Sequence, residues 1–355
     1  RSDDGRTALA SAALNGHVEV VRVLLETPGV DCNAPDNEGA SPLFLAASKG
    51  HANVVGVLLG HPGVLVDMRE RNGCTPLLKA AALGHDAVVS LLLADGRADP
   101  NCRGAKGMEL PLAESILEGH TQVARILLAD SRVDVHAPMF GSTWAGEWSQ
   151  EDSEDASDGS AAAGSGAGWF KTPLRRIGKF TSARLHDSMS ESFSVLATAA
   201  SLGRAEIVRL LLLDGRLHPN PKNSPLVSIP LVLAASDGHL EVVGALLEDP
   251  RVDVNASSTF VGTALRAAAK EGFADIVRLL LERGADPNSS GGYLLSRPLE
   301  RAAKQVQKPP DEWLHNPEVG RVKVRGCLKA IEILLAHTGV YKKGFRMPKL
   351  HPKLA

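Results

Sequence analysis

The stretch "GCTPLLKAAALGHDAVVSLLL", Gly73–Leu93, sets how the rest of the chain is read. Thr75 is placed to accept the orphan N–H groups of a helix start, and Pro76 suits the first helical position. Ala80, Ala81 and Ala82 keep this helix slim, so that a neighbour can stack closely. Gly84 ends it, where a left-handed residue is needed and a side chain is penalised. A second helix follows, with Val88, Val89, Leu92 and Leu93 spaced to build one apolar face. The next segment, "DGRADPNCRGAKG", is turn and hairpin material. One such unit has too little core to stand alone and must stack on copies of itself.

The copies are present. "GRTALASAALNGHVEVVRVLL" from Gly5 and "GASPLFLAASKGHANVVGVLL" from Gly39 precede it at intervals of 34 residues. A fourth unit starts at Gly107, with one residue inserted before its Pro111. Three more begin at Ser194, Ile229 and Thr263, as in "TALRAAAKEGFADIVRLLL". An eighth is broken into "RPLERAAKQ" from Arg297 and "CLKAIEILLAH" from Cys327.

This pattern resembles the ankyrin repeat. The family signature T-P-L-H-x-A, then Gly-His, a Val/Leu helix and G-A-D-x-N, is matched in pieces by every unit. "LLERGADPN", Leu280–Asn288, is nearly the consensus. The resemblance implies an all-α solenoid of stacked helix–turn–helix units with hairpin loops. Two departures stand out. The signature histidine is replaced by Ala10, Phe44, Leu78, Ala113, Ala197, Val232, Arg266 and Glu300. In the family that histidine ties neighbouring repeats by hydrogen bonding, so this array is expected to rely more on packing. The segment after the second helix is also one residue longer than usual, as in "LLADSRVDVH", which implies a bulged loop before each hairpin.

The expected organisation is repeats one to four over 1–138, an acidic-then-basic low-complexity insertion over 139–191, and repeats five to eight over 192–340. The last repeat carries its own insertion, 305–326, and a basic tail runs over 341–355. Ankyrin arrays end in units with a polar outer face. Repeat one, with Val18, Val20, Val21, Val23 and Leu24, has the apolar pattern of an internal unit, so further repeats or a covering domain are expected before Arg1.

Composition narrows the function. A net charge of −2 gives no electrostatic case for nucleic acid. No apolar run approaches the roughly 18–20 residues of a membrane helix. The four cysteines have no zinc-type spacing and suit a reducing intracellular compartment, cytoplasmic or nuclear. His17, His51, His85, His120 and His239 follow the mid-repeat glycines. Helices about 8–10 Å apart hold successive histidines too far apart for ligands that must converge at about 2 Å on zinc, so these read as structural turn residues. "GSGAG" at Gly164–Gly168 follows no strand and lacks a phosphate-loop lysine. No nucleophile elbow, zinc-protease or kinase signature is present, so neither an enzyme nor a cofactor is expected.

What remains is surface. The family resemblance implies binding of other proteins along the hairpin tips and the inner face of the first helices, by a monomeric array. Carried onto this chain, the tip candidates are Asn37, Glu38, Ala40, Arg71, Asn72, Cys74, Lys106 and Met108. The inner-helix candidates are Lys49, Leu83, Glu118 and Asp237. The insertion offers Trp144, Trp148, Trp169 and Phe170 as an aromatic recognition element, since tryptophan is enriched among binding hot spots. Ser149 and Ser153 sit before acidic residues, and Thr172 before proline, in the manner of phosphorylation sites. The fourth tryptophan, Trp313, lies in the second insertion, so all four are placed outside the repeat core. The expected function is a non-catalytic protein-binding scaffold. The alternative is the substrate-recognition region of a larger enzyme, a kinase or a ubiquitin-ligase component.

Overall fold

The computed structural model describes residues 1–104, 110–137, 194–220, 229–258, 261–289, 297–338, 347–349 and 351. Contacts divide the chain into two units, Arg1–Val195 and Leu196–Ala355. Lys106, Met108, Trp144, Trp148, Ser149, Ser153, Trp169, Phe170 and Thr172 lie outside the described residues.

The first unit stacks four helix pairs: α1 (Ala8–Leu14) with α2 (Val18–Glu26), α3 (Pro42–Ser48) with α4 (Ala52–Leu59), α5 (Pro76–Ala82) with α6 (Asp86–Asp95), and α7 (Pro111–Glu118) with α8 (Thr121–Ala129). Three of the four first helices are capped by the side chain just before them. The hydroxyls of Thr7, Ser41 and Thr75 accept the backbone N–H of Ala10, Phe44 and Leu78 at 3.1–3.2 Å. Ala46, Ala47, Ala80 and Ala81 are wholly buried between successive first helices. Val54, Val88 and Val123 occupy the same register of the second helices and are buried, whereas their counterpart Val20 is 49% exposed.

The second unit holds α9 (Val195–Ser201) with α10 (Ala205–Asp214), α11 (Pro230–Asp237) with α12 (Leu240–Leu247), and α13 (Ala264–Glu271) with α14 (Ala274–Glu282). Before α13 a two-residue antiparallel ladder pairs β1 (Ser257–Ser258) with β2 (Gly262–Thr263), Ser257 opposite Thr263. The last repeat differs from expectation. The segment read as a long turn is helical: after α15 (Pro298–Gln307) come a short α16 (Asp311–His315) and a 22-residue α17 (Pro317–Thr338). The physical reason is a buried stripe of Val324, Cys327, Ala330, Ile331 and Leu334 at spacings of three and four. Trp313 is accordingly buried, 6% exposed, and is a core residue rather than one outside the core. α17 can lie against the end of α13 because its residue there is Gly326. A Cβ at Gly326 would stand 2.2 Å from the Gly272 carbonyl oxygen.

The substituted signature-histidine positions are buried in seven of the eight repeats, from Ala10 to Arg266, and Glu300 is exposed. Packing does fill those positions. Hydrogen bonding between repeats has not been lost, however; it comes from the other histidine. Nε2 of His51, His85, His120 and His239 lies 2.8–3.2 Å from the carbonyl oxygens of Leu14, Ser48, Ala82 and Ser201 in the preceding repeat. A Cβ on Gly16, Gly50, Gly84 or Gly203 would fall within 2.6–2.9 Å of Nδ1 of the corresponding ring. These glycines therefore serve twice, as left-handed helix ends at φ 72–75° and as seats for the next repeat's imidazole.

Candidate protein-binding surface

The hairpin tips are built by one short design. Asp36 is buried, and its Oδ1 accepts the N–H of Glu38 at 3.0 Å and of Ala40 at 2.9 Å, closing the turn around Gly39. Glu70 does the same for Cys74 one repeat later, at 3.2 Å. Successive tips then bond to each other. Asn37 donates its N–H to the Asp4 carbonyl at 3.0 Å, and Arg71 donates its own to the Glu38 carbonyl at 2.8 Å. Asn37, Glu38, Arg71 and Asn72 are exposed, and the Arg71 guanidinium stands 3.6 Å from the Glu38 carboxylate. The result is a row of polar side chains on tips tied to one another through their backbone.

Two tip candidates belong elsewhere. Ala40 is 4% exposed and packs with Ala10, Phe44 and Leu45, so it is core. Cys74 is half-buried against the same cluster. Both point inward because the short side chain after each tip glycine fills the gap between first helices. The inner-helix candidates share one register, immediately before the left-handed glycine. Lys49 and Glu118 are exposed, and Leu83 and Asp237 are half-buried. Burial pushes the Asp237 acid above its ordinary range, while the Ser201 hydroxyl, donating to it at 2.9 Å, opposes that.

Two further sets of residues hold the surface in shape and were not singled out from the sequence. The first is an Asp-x-Arg clamp in the extra-long loops. Asp95 fixes Arg97 at 2.7 Å, and the guanidinium donates to the Leu59 carbonyl at 2.8 Å, at the C-terminal end of the preceding second helix. Arg132, on Asp130, reaches Leu93 at 3.1 Å, and Arg251, on Asp249, reaches Leu212 at 2.9 Å. A cation is thus placed on carbonyls of the last helical turn, where the helix dipole is negative. The signal was legible as D-x-R at 95–97, 130–132, 214–216 and 249–251. The second set is asparagine. Oδ1 of Asn33, Asn101 and Asn220 accepts the N–H of Leu65, Asp134 and Asp253, and Nδ2 donates to the carbonyls of Gly63, Arg132 and Arg251.

The chemistry available is that of contact. Cys102 is buried 3.0 Å from the Thr75 hydroxyl and its thiol is pushed up to about 11 by burial; Cys327 is pushed up to about 12, again chiefly by burial. Neither is a nucleophile near neutral pH. Among the described residues, no group of three or more His, Cys, Asp or Glu is arranged to hold a metal ion. No helix among them is long and apolar enough to cross a membrane.

Comparison with known proteins agrees with this architecture. Family models described as ankyrin repeats match residues 1–70 and 196–291 (three-copy model) and 72–105 (single repeat). The chain belongs to the ankyrin repeat family, whose arrays are protein–protein interaction modules. It is 40% identical over 78 residues to alpha-latroinsectotoxin-Lt1a of Latrodectus tredecimguttatus, covering 22% of this chain and 6% of that protein. It is 44% identical over 68 residues to palmitoyltransferase akr1 of Schizosaccharomyces pombe, covering 19% of this chain and 11% of that protein. The chain thus spans a small part of these relatives. Among solved structures, the human ASB11 ankyrin repeat domain aligns with a TM-score of 0.52 at 22% identity, over 79% of this chain and 100% of that one.

Proposed function

We propose that this chain is a non-catalytic scaffold that binds partner proteins along the hairpin tips and the adjoining ends of the first helices. The reading rests on one observation: consecutive tips are hydrogen-bonded to each other while Asn37, Glu38, Arg71 and Asn72 stay exposed. A surface fixed in advance loses little entropy on binding. The insertion's Trp144, Trp148, Trp169 and Phe170 act as a second, aromatic contact of the same protein.

A pull-down from cell extract with the full chain tests this, set against two variants: Arg71→Glu with Asn37→Ala, and a triple alanine variant at Trp144, Trp148 and Trp169. Specific proteins lost with the first variant support the tip surface, and those lost with the second support the aromatic element. A partner set indifferent to both rejects the reading. The match to part of a palmitoyltransferase favours a second reading, in which these repeats select substrates for an enzyme domain in the same polypeptide. A catalytic signature in the complete reading frame would establish it.

A further inference from the structure

Among the described asparagine joints, one position breaks the pattern. Asp67 occupies the register of Asn33 and Asn101, 34 residues from each. Its Oδ2 accepts the Asp99 N–H at 2.9 Å, as the asparagine Oδ1 atoms do one joint away. Where asparagine carries Nδ2, which donates at 2.7 Å to Gly63 and at 2.8 Å to Arg132, Asp67 carries Oδ1. That oxygen is buried and has no hydrogen-bond partner. By register the carbonyl that awaits a donor is that of Arg97, two residues before Asp99, as Gly63 is two before Leu65.

We propose that Asp67 is a proton-dependent lock between the loops that follow the second and third helix pairs. As the neutral acid it supplies the O–H donor that asparagine supplies in the other joints. Ionised, it withdraws that donor and leaves a buried charged oxygen unpaired, which a protein interior penalises. The groups around it are Asp99 and Cys102 from the next loop and Arg69 from its own. Burial is the main influence holding the acid above its ordinary value, and the Asp99 carboxylate adds to it; the Asp99 N–H and Arg69 oppose. A raised folded-state value gives a contribution complete below the unfolded value of 3.8 and lost as pH rises through the folded one. Asp67 lies three residues before the Glu70–Gly73 tip, so the lock bears directly on the proposed binding surface.

The test uses the full chain. Asp67→Asn supplies a donor at every pH, so its unfolding midpoint is expected to match the parent's below pH 3.8, where the parent's acid is neutral in both states, and to exceed it by about 2–4 °C at pH 8. Asn101→Asp, made in parallel, should create the same pH-dependent loss one repeat along. Hydrogen exchange at the Asp99 amide reads the joint locally: protection relative to the intrinsic rate falls with rising pH in the parent and stays level in D67N. A midpoint difference that does not change with pH, or Asp99 protection that responds to pH equally in both proteins, would overturn the proposal.

Discussion

At the scale of single residues, this protein depends on glycines that carry two duties at once. Gly84 sits at φ 74°, and a Cβ there would meet His120 Nδ1 at 2.6 Å; Gly96 sits at φ 81° with nothing within 4 Å. Alanine at either position costs about 1–2 kcal/mol for the left-handed backbone alone. Gly84→Ala should therefore destabilise more than Gly96→Ala in chemical denaturation, and equal losses would show that the imidazole seat contributes nothing. The Asp-x-Arg clamps make a separate claim about pH. The side-chain hydrogen bonds from Arg97 and Arg132 hold the carboxyls of Asp95 and Asp130 below the usual carboxylate range. A lowered folded-state value stabilises above the unfolded value of 3.8 and is lost as pH falls through the folded one. Replacing both aspartates by asparagine should flatten the acid limb of the stability curve below about pH 4 and leave its slope near neutrality unchanged. The Gly-His pairs were visible in the sequence as turn residues, but their hydrogen bonds were not. A ring's partner 37 or 38 residues away becomes apparent only once the repeats are stacked.

At the scale of elements, the helix starts, their glycine ends and the apolar faces of the second helices follow from local chemistry. The hydroxyl caps at Thr7, Ser41 and Thr75 and the buried Val88, Val89, Leu92 and Leu93 lie where the pattern puts them. The last repeat does not follow so simply. Its 306–326 segment has prolines and charges that read as a turn, yet α16 and the first half of α17 together occupy most of it, because one stripe of α17 is covered by α13, α14 and α15. Lys323 on this helix lies 4.1 Å from the centre of the Phe273 ring, which takes the place of a ladder histidine. Trp313→Ala should cost about 3–5 kcal/mol and lower the unfolding midpoint of the second unit. If its removal leaves that midpoint unchanged, α16 has no structural role.

At the scale of the whole molecule, binding is the property to test. The Arg71 side chain is exposed and its backbone N–H is paired with the preceding tip whatever the side chain, so changing Arg71 should alter recognition and not folding. Arg71→Glu is expected to weaken partner capture at least tenfold while shifting stability by no more than about 0.5 kcal/mol. Stability lost together with binding would make Arg71 a structural residue. The period, the helix pairs and the ankyrin family were determined by the sequence alone, because caps, glycine stops and apolar spacing act within a few residues of one another. The clamp arginines, the histidine and asparagine joints, the inward placement of Ala40 and the unpaired oxygen of Asp67 were decided only by tertiary structure. Each depends on a partner about one repeat away, and only stacking brings those partners within hydrogen-bond or packing distance.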